Sequence, residues 1–338
     1  MAQCRRISSK VPKGMRGKLD SRERELGQGS GKGKVILFGE HFVVYGLPAL
    51  AAGIAAETTA KVTRLKTSGW TIDDLRPETP GYKAEKADEQ KVSTDNVIRH
   101  LGLDLSKQGI HIELGGDLVA ASGIGASAAN CVALARALNE EFRLGLNNDR
   151  INEAAYEGEK GYHGTPSGID NTASTFGGLI WYVRDPNSTV PMFEKLKLKK
   201  PIGLVIASTG LTASTKKVVD DVAAKKKADP KWFDSIVDEY RTLVKDGRES
   251  LLRLDLKKVG QLMNRNHELL RSLTVSCPEL DSLVEKALKN GALGAKLTGT
   301  GRGGLMIALV ADQHATNRVA ESLQKAGAAA VWKTNFGQ

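Results

Sequence analysis

The 338-residue chain contains little cysteine: only Cys4, Cys131 and Cys277. An odd, sparse set without paired spacing excludes a disulfide framework and a cysteine-based zinc site. Cys131 lies in an apolar helical run and is interpreted as a core residue. The cysteine content fits a reducing compartment, so we expect a cytoplasmic location and leave an organelle open.

Long apolar runs are absent as well. None reaches the ~18 residues of a membrane-spanning helix, so we expect no membrane partner. The N-terminus lacks the apolar core of a secretory signal. Residues 1–32 are instead rich in Lys, Arg, Gly and Ser, which predicts a disordered basic tail. Acidic residues within this segment argue against an organellar transit peptide.

Aromatic residues make up only 5% of the chain, although its net charge is +10. A basic balance can indicate nucleic-acid binding. The basic clusters at 195–200 and 216–227 contain no interleaved aromatic residues, so a stacking platform for single strands is not indicated. We interpret the charge as solvated surface that also attracts an anionic substrate and a nucleotide, with no specific nucleic-acid partner.

Strand and helix patterns mix along the chain. The apolar run 35–38 and the alternating run 109–114 predict strands. The second half predicts four helices, followed by a strand, a glycine loop, a strand, a helix and a strand. We therefore expect an α+β fold with two domains, residues 33–190 and 191–338.

A glycine-rich turn, residues 123–127, opens a predicted helix. Glycines let the backbone approach a phosphate group, and the helix behind them offers free N–H groups. Ser127 adds a hydroxyl at the helix start. Taken alone, the turn is better explained as a tight connection before a core helix. Residues 27–34 look like a P-loop but lack its first glycine and the Ser or Thr after its lysine.

Two carboxylates flank a Gly/Pro loop: Glu159 ends a predicted helix and Asp170 follows in the loop 162–171. A kinase needs two such acids, one to hold Mg²⁺ against the phosphates and one to accept the proton of the attacking hydroxyl. The alternatives are a solvent-facing helix residue for Glu159 and an Asx turn for Asp170. The third glycine segment, 296–304, suits a hairpin as well as a phosphate-binding loop.

Together with residues 33–46, the segments 123–129, 163–171 and 296–304 resemble, in order, the motifs of the GHMP kinases. This family includes galactokinases, homoserine kinases, mevalonate kinases and phosphomevalonate kinases. The first motif and the 163–171 run are most similar to its mevalonate kinase branch. The resemblance implies an N-terminal domain like ribosomal protein S5, a ferredoxin-like C-terminal domain and an active site between them.

The resemblance also implies roles for individual residues. Asp170 becomes the catalytic base and Lys34 its cationic partner, while Ser127 and Glu159 become Mg²⁺ ligands. Glu40, His41 and Thr215 would lie near the substrate. The ATP-binding set consists of Lys34, Ala121, Ser122, Gly123, Ile124, Gly125, Ala126 and Ser127. The chain departs from the family at Ala126, where a serine is usual, without losing a catalytic role.

The implied reaction is the ATP- and Mg²⁺-dependent phosphorylation of the 5-hydroxyl of mevalonate, in isoprenoid precursor synthesis. The apolar run 42–44 after His41 suits a small branched acid, unless these residues lie in the core. Arg184, at the end of a predicted strand, is a candidate for the substrate carboxylate; an exposed turn residue is the equal alternative. Another GHMP kinase substrate, a silent nucleotide-binding regulator and a homodimer all remain open.

Overall fold

The computed structural model describes residues 26–120, 123–184 and 192–337. Ten strands are found in these ranges: β1 Gly27–Phe38, β2 Ala49–Arg64, β3 Trp70–Asp74, β4 Ile110–Gly116, β5 Leu179–Val183, β6 Met192–Leu196, β7 Ile202–Ser208, β8 Gly294–Thr298, β9 Leu305–Val310 and β10 Ala330–Phe336. The α-helices are α1 Tyr82–Glu85, α2 Ala87–His100, α3 Ala126–Phe142, α4 Asn148–His163, α5 Ile169–Phe176, α6 Thr215–Ala228, α7 Pro230–Arg253, α8 Leu256–Ser272, α9 Pro278–Lys289 and α10 Gln313–Lys325. A short 3₁₀ turn covers Val43–Tyr45.

The strands form two groups. In the first half, β2 pairs with β1, β4 and β5, while β3 pairs with β4 and β6 with β5. In the second half the antiparallel order of the strands in the sheet is β10-β7-β9-β8. Along the chain, helices α6–α9 connect β7 to β8, and α10 connects β9 to β10. This β-α-β-β-α-β arrangement is the predicted ferredoxin-like unit. The α+β fold class is therefore confirmed.

The two strand groups meet where Phe336 of β10 pairs with Ile54 of β2. One large apolar core extends across this junction, from Val35 and Leu50 in the first half to Leu204 and Leu297 in the second. A separate core lies between β2, β4 and the helices α2–α4. The shared core fixes the position of β1 against β8, and both strands lead into predicted site segments.

The glycines of the segment 27–34, which looks like a P-loop, allow β1 to pack against α3. Gly27, Gly29 and Gly31 alternate along β1, and a Cβ atom on any of them would lie within about 2.5 Å of the backbone or side chains of α3. Since the helix is rich in alanine, strand and helix approach unusually closely. The expectation of a disordered tail through residue 32 is therefore wrong for residues 27–32. Residues 1–25 lie outside the described ranges, as does the expected domain boundary at 190.

The loop expected through residue 171 ends earlier. Gly168, with φ +85°, precedes α5, and the helix begins at Ile169. Asp170 therefore lies in the first turn of a helix rather than in an Asx turn. No helix within the described ranges is long and apolar enough to cross a membrane.

The hydroxyl of Thr298 joins the two halves of the fold. Its Oγ1 accepts the Ile36 N–H at 3.0 Å and donates to the Ile36 carbonyl at 3.2 Å. We expect Thr298→Val to lower the free energy of unfolding by about 1–3 kcal/mol, because it leaves buried backbone groups unpaired. Thr71→Val on the exposed face of β3 is the control; its hydroxyl bonds Nδ1 of His111 at 2.8 Å at the surface, where water can replace it, so the loss should be at most about 0.5 kcal/mol. Equal urea midpoints for the two variants would show that the Thr298 bonds contribute nothing.

Candidate active site

Lys34 connects three of the predicted segments. Its side chain is 3% exposed, and its Nζ lies 3.1 Å from Oδ2 of Asp170 at the start of α5. Its backbone N–H donates to the carbonyl of Ile124 at 2.8 Å. Strand β1, the glycine turn and α5 therefore meet at one lysine.

The glycine turn lies directly against this lysine. Gly125 precedes α3 with φ +74°, and no side chain caps the helix. A Cβ atom on Gly125 would lie 2.6 Å from Cγ of Lys34. The first N–H groups of a helix have no partner within the helix and favour anions. The turn can therefore accept a phosphate group beside the Lys34 ammonium. Ala121 and Ser122 lie outside the described ranges.

Glu159 lies on α4, and its side chain is only 1% exposed. The alternative interpretation, that Glu159 is a solvent-facing helix residue, is therefore wrong. Burial raises the pKa of its carboxyl, His163 opposes the rise and the nearby charge of Asp170 adds to it. The Ser127 hydroxyl lies close enough to favour the ionised carboxylate and so to oppose the rise in its pKa. Its Oε1 atom is buried without a hydrogen-bonding partner among the described residues. A buried carboxylate with a free oxygen, next to a hydroxyl, has the chemistry to bind a hard cation.

Glu40 has a partner that the sequence analysis missed. Its carboxylate lies 2.5 Å from Nζ of Lys296, and both side chains are fully buried. Lys296 also donates to the carbonyl of Leu297 at 2.6 Å. One signal marks Lys296 but not its partner: it is the only charged residue in β8, and a buried lysine requires a partner.

His41 and Thr215 converge on the third glycine segment. Nε2 of His41 lies 2.7 Å from the Thr300 carbonyl, and the Thr300 hydroxyl lies 2.7 Å from that of Thr215. A Cβ atom on Gly299 would lie 3.2 Å from Cα of Gly123, so the two glycine segments touch. The third segment is therefore part of the site as well as a connection between β8 and β9.

The run 42–44 was a candidate to face a ligand, but two of its residues pack in the core. Phe42 is fully buried and stacks on Tyr240 with ring centres 3.8 Å apart. Val43 is also buried. The apolar argument for the substrate is therefore wrong for these two residues, because the core explains them.

Arg184 directly follows β5 and is half-buried. It is close enough to Tyr182 for its charge to oppose the rise in the tyrosine pKa that burial causes. The Tyr182 hydroxyl donates to the carbonyl of Ser167 at 2.6 Å, in the loop before α5. Arg184 therefore lies near the segment that carries Asp170.

Arg76 and Asp74 are further residues beside Ser127 that the sequence analysis missed. The buried Arg76 guanidinium donates to Asp74 at 2.9 and 2.6 Å and to the Ala126 carbonyl at 3.3 Å. With Tyr82 and Ser127, these residues line a small cleft. No motif marks this stretch in the sequence.

Comparison with known proteins identifies the family. A model of the GHMP kinase N-terminal domain matches residues 91–178, and a model of the C-terminal domain matches residues 248–329. The chain belongs to the GHMP kinase family. Mevalonate kinases of Thermococcus sibiricus and Pyrococcus horikoshii are 32% and 33% identical over 317 residues, which cover 88% of this chain and 92% of each relative.

Solved GHMP kinase structures share the fold. L. major mevalonate kinase, in complex with R-mevalonate, is 46% identical with a TM-score of 0.88, covering 92% of this chain and 95% of that one. Lactococcus lactis galactokinase, complexed with galactose, is 20% identical with a TM-score of 0.72, covering 93% and 94%. The expected GHMP kinase membership and two-domain α+β fold are confirmed, while the roles of single residues stay predictions.

The contact between Gly125 and Lys34 can be tested by adding one methyl group. Gly125→Ala should lower the free energy of unfolding by about 1–2 kcal/mol from the positive φ, and by about 1–3 kcal/mol more from overpacking against Lys34. Gly145→Ala is the matched control, since Gly145 has φ +67° and no atom within 4 Å of the added Cβ. Urea unfolding measures both variants. Equal losses of unfolding free energy in the two variants would show that the added methyl group does not clash with Lys34.

Proposed function

We propose that this GHMP kinase transfers the γ-phosphoryl group of ATP to the 5-hydroxyl of mevalonate. The observation that carries the proposal is the Lys34–Asp170 contact of 3.1 Å, with the glycine turn packed directly on Lys34 at Gly125. The 46% identity to a mevalonate kinase in complex with R-mevalonate supports this choice of substrate. The product would be 5-phosphomevalonate, a precursor in isoprenoid synthesis.

Asp170 acts as the base. Its side chain is about one quarter exposed, so one part of the carboxylate faces Lys34 while another is open to a substrate hydroxyl. As the substrate oxygen attacks the γ-phosphorus, its proton passes to Asp170. Lys34 holds the carboxylate in place and stabilises negative charge on the transferring group. The bond to ADP breaks as the new P–O bond forms.

The phosphates of ATP would bind at the glycine turn 123–127 and the start of α3. Ser127 and Glu159 are the residues that would hold Mg²⁺, and the unpartnered Oε1 of Glu159 supports this assignment. Mg²⁺ in such sites usually takes one or two side chains and completes its shell with phosphate oxygens and water. When bound, it neutralises charge on the phosphates.

The acceptor would lie between the first motif and β5. Arg184 would bind the mevalonate carboxylate as a guanidinium–carboxylate pair. His41 and Glu40 come from the turn after β1, and Thr215 approaches from the start of α6 beside Thr300. Arginine, histidine and threonine side chains match an acid that carries hydroxyl groups.

The substrate is tested by ADP release. Purified protein with ATP and MgCl₂ should release ADP with mevalonate at a kcat/KM at least tenfold above that with homoserine, galactose or phosphomevalonate. The other alcohols lose hydrogen bonds or charge pairing with the site, and each loss of about 1.4 kcal/mol lowers kcat/KM about tenfold. An equal or higher value for one of the other alcohols would refute mevalonate as the substrate.

The carboxylate contact is tested by Arg184→Met. Loss of a charged hydrogen bond worth about 1.5–3 kcal/mol should raise the KM for mevalonate about tenfold or more and leave the KM for ATP nearly unchanged. Arg150→Met, at an exposed position on α4, is the matched control. If both variants have the wild-type KM for mevalonate, another cation binds the carboxylate.

A further inference from the structure

The buried pair of Lys296 and Glu40 has no part in the phosphoryl transfer described above. Neither side chain is exposed. Burial raises the pKa of the Glu40 carboxyl, and contact with Lys296 opposes that rise. Removing two charges from water is costly unless the geometry is good, and an apolar pair is often equally stable. Because stability alone does not require a charged pair here, its place beside the turn after β1 points to a role in geometry.

The pair is one of two points at which residues 296–300 hold the turn after β1. Lys296 binds Glu40, and the carbonyl of Thr300 binds the neighbouring His41. The turn is backbone-strained, because His41 has φ +62°. Non-glycine residues adopt this conformation only where their surroundings enforce it. The two contacts supply that constraint from either side.

The contact with Thr300 also defines the tautomer of His41. A carbonyl oxygen only accepts hydrogen bonds, so Nε2 must carry the proton. Burial lowers the pKa of His41, which favours the neutral ring. Nδ1 is then unprotonated and can only accept a hydrogen bond. It is buried without a hydrogen-bonding partner among the described residues. A buried unpaired acceptor is costly and would be satisfied by an alcohol O–H.

We propose that Lys296 is a positioning residue: through Glu40 it fixes the strained turn so that Nδ1 of His41 accepts a hydrogen bond from a hydroxyl of the substrate. This inference rests on the proposed function for the identity of the alcohol. The geometry of the turn and the histidine tautomer do not depend on it. The site therefore selects a ligand group that donates to His41, which distinguishes a hydroxyl from a carboxylate at this position.

The test combines histidine ¹⁵N NMR with kinetics. The chain has six histidines, so His41 can be assigned from the spectrum of His41→Gln. In the free wild-type protein, the His41 ring should show the neutral tautomer with a proton on Nε2. Adding mevalonate should shift the Nδ1 resonance upfield, as expected for an acceptor. Lys296→Met should mix the tautomers and raise the KM for mevalonate about tenfold, with the KM for ATP within about twofold.

The double variant Glu40→Met/Lys296→Met covers the case in which the single variant does not fold. It replaces the ion pair with an apolar pair and should fold, yet keep the raised KM for mevalonate and the mixed tautomer. The matched control is Lys61→Met, which removes the exposed ion pair with Glu113 and should change neither readout.

Wild-type values for both readouts in a folded Lys296 variant, single or double, would overturn the positioning role. An unshifted Nδ1 resonance with saturating mevalonate would overturn the hydrogen bond. Failure of the proposed function is recognised separately, because the wild-type protein would then release no ADP with mevalonate while the tautomer of the free protein remained as described.

Discussion

Lys34 is almost completely buried, and its ammonium group has Asp170 3.1 Å away. An amine in this environment is tolerated only with a close partner, because an unpaired buried charge costs several kcal/mol. Strand β1 supplies the lysine, the start of α5 supplies the carboxylate and the glycine turn packs on the lysine stem. The three elements must therefore assemble together, and their assembly creates the site.

Charges of alternating sign extend from this pair. The positive charge of Lys34 opposes the burial-driven rise in the pKa of both Glu40 and Glu159, so both carboxylates lie within its influence. Lys296 continues the alternation beyond Glu40. Networks of this kind are stable when every member is paired, and they lose specificity when one member is removed. The site therefore holds two carboxylates close together in different environments: Glu159 is buried beside Ser127, and Asp170 is partly exposed.

The order of the motifs could be predicted from the sequence because each motif has a local signature: glycines before a helix, or a carboxylate after a Gly/Pro loop. The partner of Glu40 could not, since Lys296 lies 256 residues away and only the fold brings them together. The role of Gly27, Gly29 and Gly31 could not be predicted for a related reason. Their composition suits a disordered tail, whereas close packing against α3 requires them to be glycine. The sequence of the run 42–44 does not decide between a ligand and the core, whereas the stacking of Phe42 on Tyr240 places that residue in the core.

The central claim is that Lys34 and Asp170 act as one unit in the transfer step. A double-mutant cycle in single-turnover kinetics with ATP and mevalonate tests it, using Lys34→Met, Asp170→Asn and the double variant. Residues that act as a unit are strongly non-additive. Each single variant should lower the rate by about 10²–10⁴-fold, and the double variant should be about as slow as the slower single. A double variant whose loss equals the product of the two single losses would contradict the account.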